Sequence, residues 1–217
     1  VDVANMIYET IESIYLSSKE TNNFKSFEFD LIRYFSITSP VSIKEFEELD
    51  SNKVLENLYG IVLKHYEKKN RENSMKVFPV IKNVYENPQN KFERIVVPFT
   101  DGKKTMNIVT DLKKAYESDG KELINDFEKN ISLAIIDETW KTHLRKMDEL
   151  KQSVQLAVHE QKDPLLIYKF EAKELFFSMI DQLNKDILTF LFKGDLPSQN
   201  PNEITEDRQT RRRQNYN

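Results

Sequence analysis

Cysteine is absent from this 217-residue chain and glycine occurs only four times, so two kinds of chemistry are thin before any motif is sought. Without thiols there is no disulfide and no cysteine–zinc site, which agrees with a reducing compartment. Glycine at about 2% against a usual ~7% leaves little material for glycine-rich catalytic loops. A phosphate loop needs glycines ahead of a Gly-Lys-Ser/Thr ending, and Gly102-Lys103-Lys104 has neither the earlier glycine nor the hydroxyl. The three histidines, His65, His143 and His159, are far apart and form no metal-binding spacing. No nucleophile elbow is present. No apolar run approaches the ~20 residues of a membrane span, and no signal peptide is visible. The sequence therefore predicts no active site, no cofactor site and no metal site within the chain.

What is abundant is charge. Asp, Glu, Lys and Arg make up 31% of the residues, and 32 basic against 36 acidic side chains leave a net charge of −4. That balance does not favour a nucleic-acid partner. A high charged fraction with 39% apolar residues suggests an extended helical shape with much solvated surface. The first residues, Val3, Met6, Ile7, Ile11, Ile14 and Tyr15, already carry a helical pattern although no Met precedes them, which suggests a piece of a longer protein.

Along the chain, helices are expected at 1 to about 20, at Phe24 to Phe35, and from a Ser42/Glu45 capping box to about Leu49. The pattern from Ser51 to Asn87 is helical, with a kink or break expected near Lys76 because Pro79 removes an internal hydrogen bond. Arg94 to Val97 and Lys103 to Val109 are β-prone and flank Asp101-Gly102, a pair suited to a type I′ turn. They predict one small β-hairpin with Pro98 on an edge, resting on the helices because two strands alone are marginal.

The last third holds a helical hairpin. From Lys121, apolar residues recur at Ile124, Phe127, Ile131, Ile135, Ile136, Trp140, Leu144, Met147, Val154 and Val158; after the turn they recur at Tyr168, Ala172, Leu175, Met179, Leu183, Ile187 and Phe190. Asp163 suits the N-cap of the second helix and Pro164 its first position, while Gly194 and Pro197 supply the stop. The stripe predicts core packing for Trp140 and a helix-surface or interhelical contact for His143. Val158, His159, Glu160, Gln161 and Lys162 form the polar tip, where contact function concentrates. Residues 195–217 lack apolar periodicity and read as a disordered tail or linker; Arg208 and Arg211 to Arg213 there are balanced by Asp195, Glu203, Glu206 and Asp207.

The runs ELINDFEKNISLAIIDETWKTHLRKMDEL and EQKDPLLIYKFEAKELF closely resemble the C-terminal part of the SecA family, the motor ATPases that drive preproteins through the SecY channel. Trp140-Lys141 with His143-Leu144, and Gln161-Lys162-Asp163-Pro164, carry the resemblance, which is strongest over 122–196. It implies a mainly α fold: an elongated helical scaffold, an inserted helical wing with one small β-hairpin, and a long antiparallel two-helix finger. The implied division is 1–22 as the end of the scaffold helix, 23–120 as the wing with its hairpin near 94–109, 121–194 as scaffold return and finger, and 195–217 as tail.

The resemblance further implies a segment that couples the motion of nucleotide-binding domains to substrate and channel without catalysis of its own. ATP and Mg would belong to domains outside this chain, and the parent would be a protein-translocating ATPase. Implied partners are the SecY channel, unfolded preprotein and those nucleotide-binding domains, with self-association through uncovered apolar faces and no nucleic acid. The implied location is cytoplasmic and peripheral on the cytoplasmic face of the bacterial inner membrane. Val158 to Lys162 would touch substrate or channel; Trp140, His143, Leu144, Met147 and Tyr168 would serve scaffold packing and regulation. Many members carry Tyr where this chain has His159. Two other readings stand beside this one: a self-standing helical adaptor that docks through the hairpin, and a nucleic-acid or membrane-surface module using the arginine tail.

Overall fold

A computed structural model describes residues 2–87, 92–156, 163–197 and the short strand 205–206. Among them the fold is mainly helical, with one small β-hairpin. In chain order the elements are α1 (Val3–Glu20), α2 (Phe24–Phe35), α3 (Ile43–Glu48), α4 (Ser51–Glu86), β1 (Arg94–Thr100), β2 (Thr105–Asp111), α5 (Leu112–Glu117), α6 (Lys121–Leu156), α7 (Pro164–Lys193) and β3 (Thr205–Glu206).

The first three helices are bound by aromatic packing. Tyr15, Phe27 and Phe46 are fully buried, and their rings meet edge-on or tilted at 5.1 to 5.9 Å. Ser42 and Glu45 form the expected reciprocal capping box on α3. One apolar face of α1 (Val3, Ile7, Ile11, Ile14) is buried. Polar pairs tie α1 to α7: Ser13 donates to Asp181 at 2.9 Å and Asn184 to Glu9 at 3.0 Å.

The expected break in α4 does not occur. The helix runs unbroken through Pro79. The carbonyl that loses its donor belongs to Met75, which is exposed, so water can replace the missing N–H. A proline on the wet side of a long helix costs less than one facing the core.

β1 and β2 pair antiparallel with Thr100 opposite Thr105, so the connection is the four residues 101–104 rather than a two-residue turn. Asp101 accepts from the N–H groups of Lys103 and Lys104 at 2.8 and 2.7 Å, and Gly102 takes φ +87°. The hairpin rests on α6: Phe99 stacks on Phe127 with centroids 4.3 Å apart, and Ile95, Val97 and Ile108 are buried beneath. β3 adds to the outer edge of β1, giving the order β2-β1-β3. Within the stretch read as a disordered tail or linker, the backbone of Thr205–Glu206 pairs with Val96 and Ile95.

Candidate functional site

α6 and α7 are helices of 36 and 30 residues, about 54 and 45 Å long. They pack antiparallel, with Phe127 near Phe190 and His143 against Phe176. α7 starts as its sequence dictates: Asp163 accepts from Leu165 N–H at 2.9 Å, and Pro164 occupies the first turn. The predicted tip residues Val158, His159, Glu160, Gln161 and Lys162 lie outside the described residues.

The buried face of α6 differs from the stripe read in sequence. Ile124, Phe127, Ile131, His143, Leu150 and Val154 are buried, whereas Leu133, Ile136, Trp140 and Leu144 are 40–55% exposed. At about 100° per residue, Trp140 lies about 180° around the helix from Ile131. Core packing of Trp140 is thus corrected: Trp140 and Leu144 belong to a second, outward stripe. The reason is a change of partner. Near Phe127 the helix faces the hairpin and α4, while further on it faces α7, so the buried side rotates along its length. Met147 and Tyr168 are half-buried. His143 is 6% exposed and sits between Trp140 and Phe176, with centroids 5.5 and 6.0 Å away; its Nδ1 has no partner among the described residues. It is an interhelical contact.

α7 carries an outward apolar face that the sequence reading missed. Leu165, Leu166, Phe170 and Phe177 are 53–63% exposed, with the Lys173 ammonium 5.7 Å from the Phe177 ring centre. The spacing of Leu166, Phe170 and Phe177 was the available signal, masked by the parallel series through Leu175 and Met179. Between α6, α7 and the 101–106 end of the hairpin lies an open cleft of about 880 Å³, bordered by Glu138, His143, Lys146, Leu175 and Gln182. An exposed Lys104–Glu138 contact at 3.8 Å crosses it.

The far end of α7 is a junction. Phe192 is buried against Phe35, Tyr66 and His65, at 5.3, 5.1 and 6.1 Å. Lys69 of α4 donates to the carbonyls of Leu191 and Phe192, placing an ammonium at the negative end of the helix dipole. Burial holds the Lys69 amine down to about 8, although Asp195 pulls the other way. Tyr66 donates to Glu128 at 2.7 Å, and burial together with that carboxylate pushes its phenol far above the ordinary range. Burial also lowers His65.

Gly194 ends α7, but with φ −58° it does not use the left-handed conformation usual for a terminal glycine. A Cβ there would stand 2.8 Å from Phe127 Cζ and 2.8 Å from the Phe190 oxygen, so close approach is what excludes a side chain. None of Lys69, Phe192 or the reason for Gly194 was visible in the sequence, since each depends on elements far apart in the chain.

Among the described residues no cluster of His, Asp or Glu has the arrangement of a metal site. No described helix is long and apolar enough to cross a membrane. What the molecule offers is a capped helical hairpin, anchored at one end against α2, α4 and the β-hairpin and displaying apolar faces along its length.

This is a mainly helical architecture carrying one small β-hairpin. Residues 1–195 match the SecA Wing and Scaffold domain family, and the chain belongs to that family. It is 59% identical over 216 residues to the protein translocase subunit SecA of Flavobacterium psychrophilum, covering 100% of this chain and 19% of that protein. It is 60% identical over 211 residues to the SecA of Christiangramia forsetii, covering 97% and 19%. At 38% identity over 213 residues it matches that of Bacteroides thetaiotaomicron, covering 98% and 19%. The chain thus spans about a fifth of the length of the relatives it matches.

Proposed function

We propose that this chain is the scaffold, wing and finger portion of an ATP-driven motor that moves preproteins through the SecY channel. Membership of the SecA wing and scaffold family is the observation that carries this reading. Residues 1–22 act as the end of the scaffold helix, 23–120 as the wing, 121–194 as scaffold return and finger, and 195–217 as linker.

ATP and Mg are handled by nucleotide-binding domains elsewhere in the parent protein, and this segment turns their movement into displacement of the finger. The outward stripe Leu133, Ile136, Trp140 and Leu144 supports the coupling role, because it leaves apolar area for another domain to cover. The rigid capping of α7 at Asp163, directly after the tip, supports the contact role. Val158 to Lys162 touch the moving polypeptide or the channel mouth, and Trp140, His143, Leu144, Met147 and Tyr168 transmit between finger and motor. The site of action is the cytoplasmic face of the bacterial inner membrane.

His159 makes the tip contact with an imidazole where a larger aromatic is common. The test is deletion of 158–162 from the intact parent, followed by ATP-driven import of a preprotein into vesicles bearing SecY. Loss of import with basal ATP hydrolysis retained is expected; undiminished import would refute the proposal.

A further inference from the structure

Thr100 pairs outward from the hairpin: its N–H donates to Asp195 O and its carbonyl accepts from Asp195 N–H, both at 2.9 Å. Because backbone direction alternates along a strand, Arg94, Val96 and Pro98 also turn their nitrogens to that edge, away from β2. Arg94 and Val96 bring donors. Pro98 brings none.

The chain that follows α7 meets this edge at two of the three outward donors, those of Thr100 and Val96. Asp195 stands opposite Thr100, and Thr205 opposite Val96 with Glu206 opposite Ile95. A regular ladder from the first pairing would set residue 199 opposite Val96, so the second is six residues out of register with the first. The edge is therefore occupied in two pieces, with Pro98 between them. The first piece is firmly held: both carboxylate oxygens of Asp195 accept from Lys76, at 3.2 and 3.1 Å, and one accepts from Leu196 N–H at 2.8 Å. Among the described residues the second is two residues long.

We propose that the segment after α7 is an edge guard for the wing sheet: Asp195 and Thr205–Glu206 occupy in cis the strand edge of β1 that would otherwise pair with an extended polypeptide. An open strand edge is a template for any extended chain, read through its backbone with little regard to sequence. Here the fold covers two of the three outward donors, Val96 and Thr100, with its own chain and places a proline between them. The inner face of β1 is buried through Ile95, Val97 and Phe99, so the strand cannot turn its edge away without losing core. The guard is an internal pairing, and it holds whether or not the chain serves a translocation motor.

The test uses the intact chain and its Thr205→Pro variant, with amide exchange at Val96 and Thr100 as one readout. The other is binding of a labelled synthetic peptide, PNEITEDRQT, which repeats residues 201–210. Thr205→Pro should speed exchange at Val96 by about tenfold or more and leave Thr100 nearly unchanged. The peptide should bind the variant about tenfold more tightly than the intact chain, and adding Pro98→Val should tighten it further by restoring a donor. Unchanged exchange at Val96, or equal peptide binding to intact chain and variant, overturns the proposal.

Discussion

One substitution, glycine to alanine, should act in opposite directions at two positions. Gly60 lies inside α4, and a Cβ there would meet nothing within 4 Å. Alanine at 60 lowers the entropy of the unfolded chain and suits the helix, a gain of about 0.5–1 kcal/mol. Gly194 has a backbone that alanine can also adopt, so the same unfolded-state gain applies, but its Cβ would overlap both the Phe127 ring and the Phe190 carbonyl at 2.8 Å. Phe127 is 1% exposed and stacked on Phe99, so it cannot step aside, and the carbonyl is backbone. Overpacking of that kind costs about 1–3 kcal/mol. After the offset, Gly194→Ala should destabilise by about 1–2 kcal/mol, a drop of roughly 2–8 °C in Tm for a chain of this size. Urea denaturation of both variants reads the result, with unchanged slopes marking a pure stability effect. Equal signs at the two positions, or a Gly194→Ala variant more stable than the parent, would refute the reasoning about close approach.

Three further outcomes follow from the packing around α4 and α6. Lys69 titrates at about 8 in the folded chain against 10.5 for the free side chain, so the unfolded state binds more protons across that interval. Stability should rise as the pH climbs from 8 toward 10, and Lys69→Met should flatten that rise; a parent chain whose unfolding free energy falls over this window would contradict the burial of the amine. Trp140, the single tryptophan, is 46% exposed, so its fluorescence should be readily quenched by acrylamide and Trp140→Ala should cost clearly less than the loss of a fully buried aromatic. Phe127→Ala, on the inner face of the same helix, should cost about 3–5 kcal/mol.

Local signals were legible where they act over a few residues. The capping box at Ser42 and Glu45, the Asp163-Pro164 start of α7 and the Asp101-Gly102 corner of the hairpin all depend on neighbours in sequence. Pro79 misled because its cost depends on which side of α4 faces water, which periodicity blurs in a helix of 36 residues. The α6 stripe merged two faces because the helix changes partners midway, and a single 3.6-residue template assumes one partner. His143 was legible as a contact, but the ring of Phe176 against it belongs to another helix. The junction around Phe192 and Lys69 joins residues 35, 65, 66 and 69 to the end of α7, and only tertiary structure brings them together. The resemblance supplied what local chemistry could not: the family to which the chain belongs.

The central claim, that the end of the α6–α7 hairpin is a working contact on a moving polypeptide, is tested most directly by a photo-crosslinker at position 159 of the full-length parent. With a preprotein arrested partway through SecY, the account predicts adducts to the arrested chain or to the channel that depend on ATP. Adducts to neither, while the same crosslinker at the exposed Phe29 of α2 behaves identically, would contradict it.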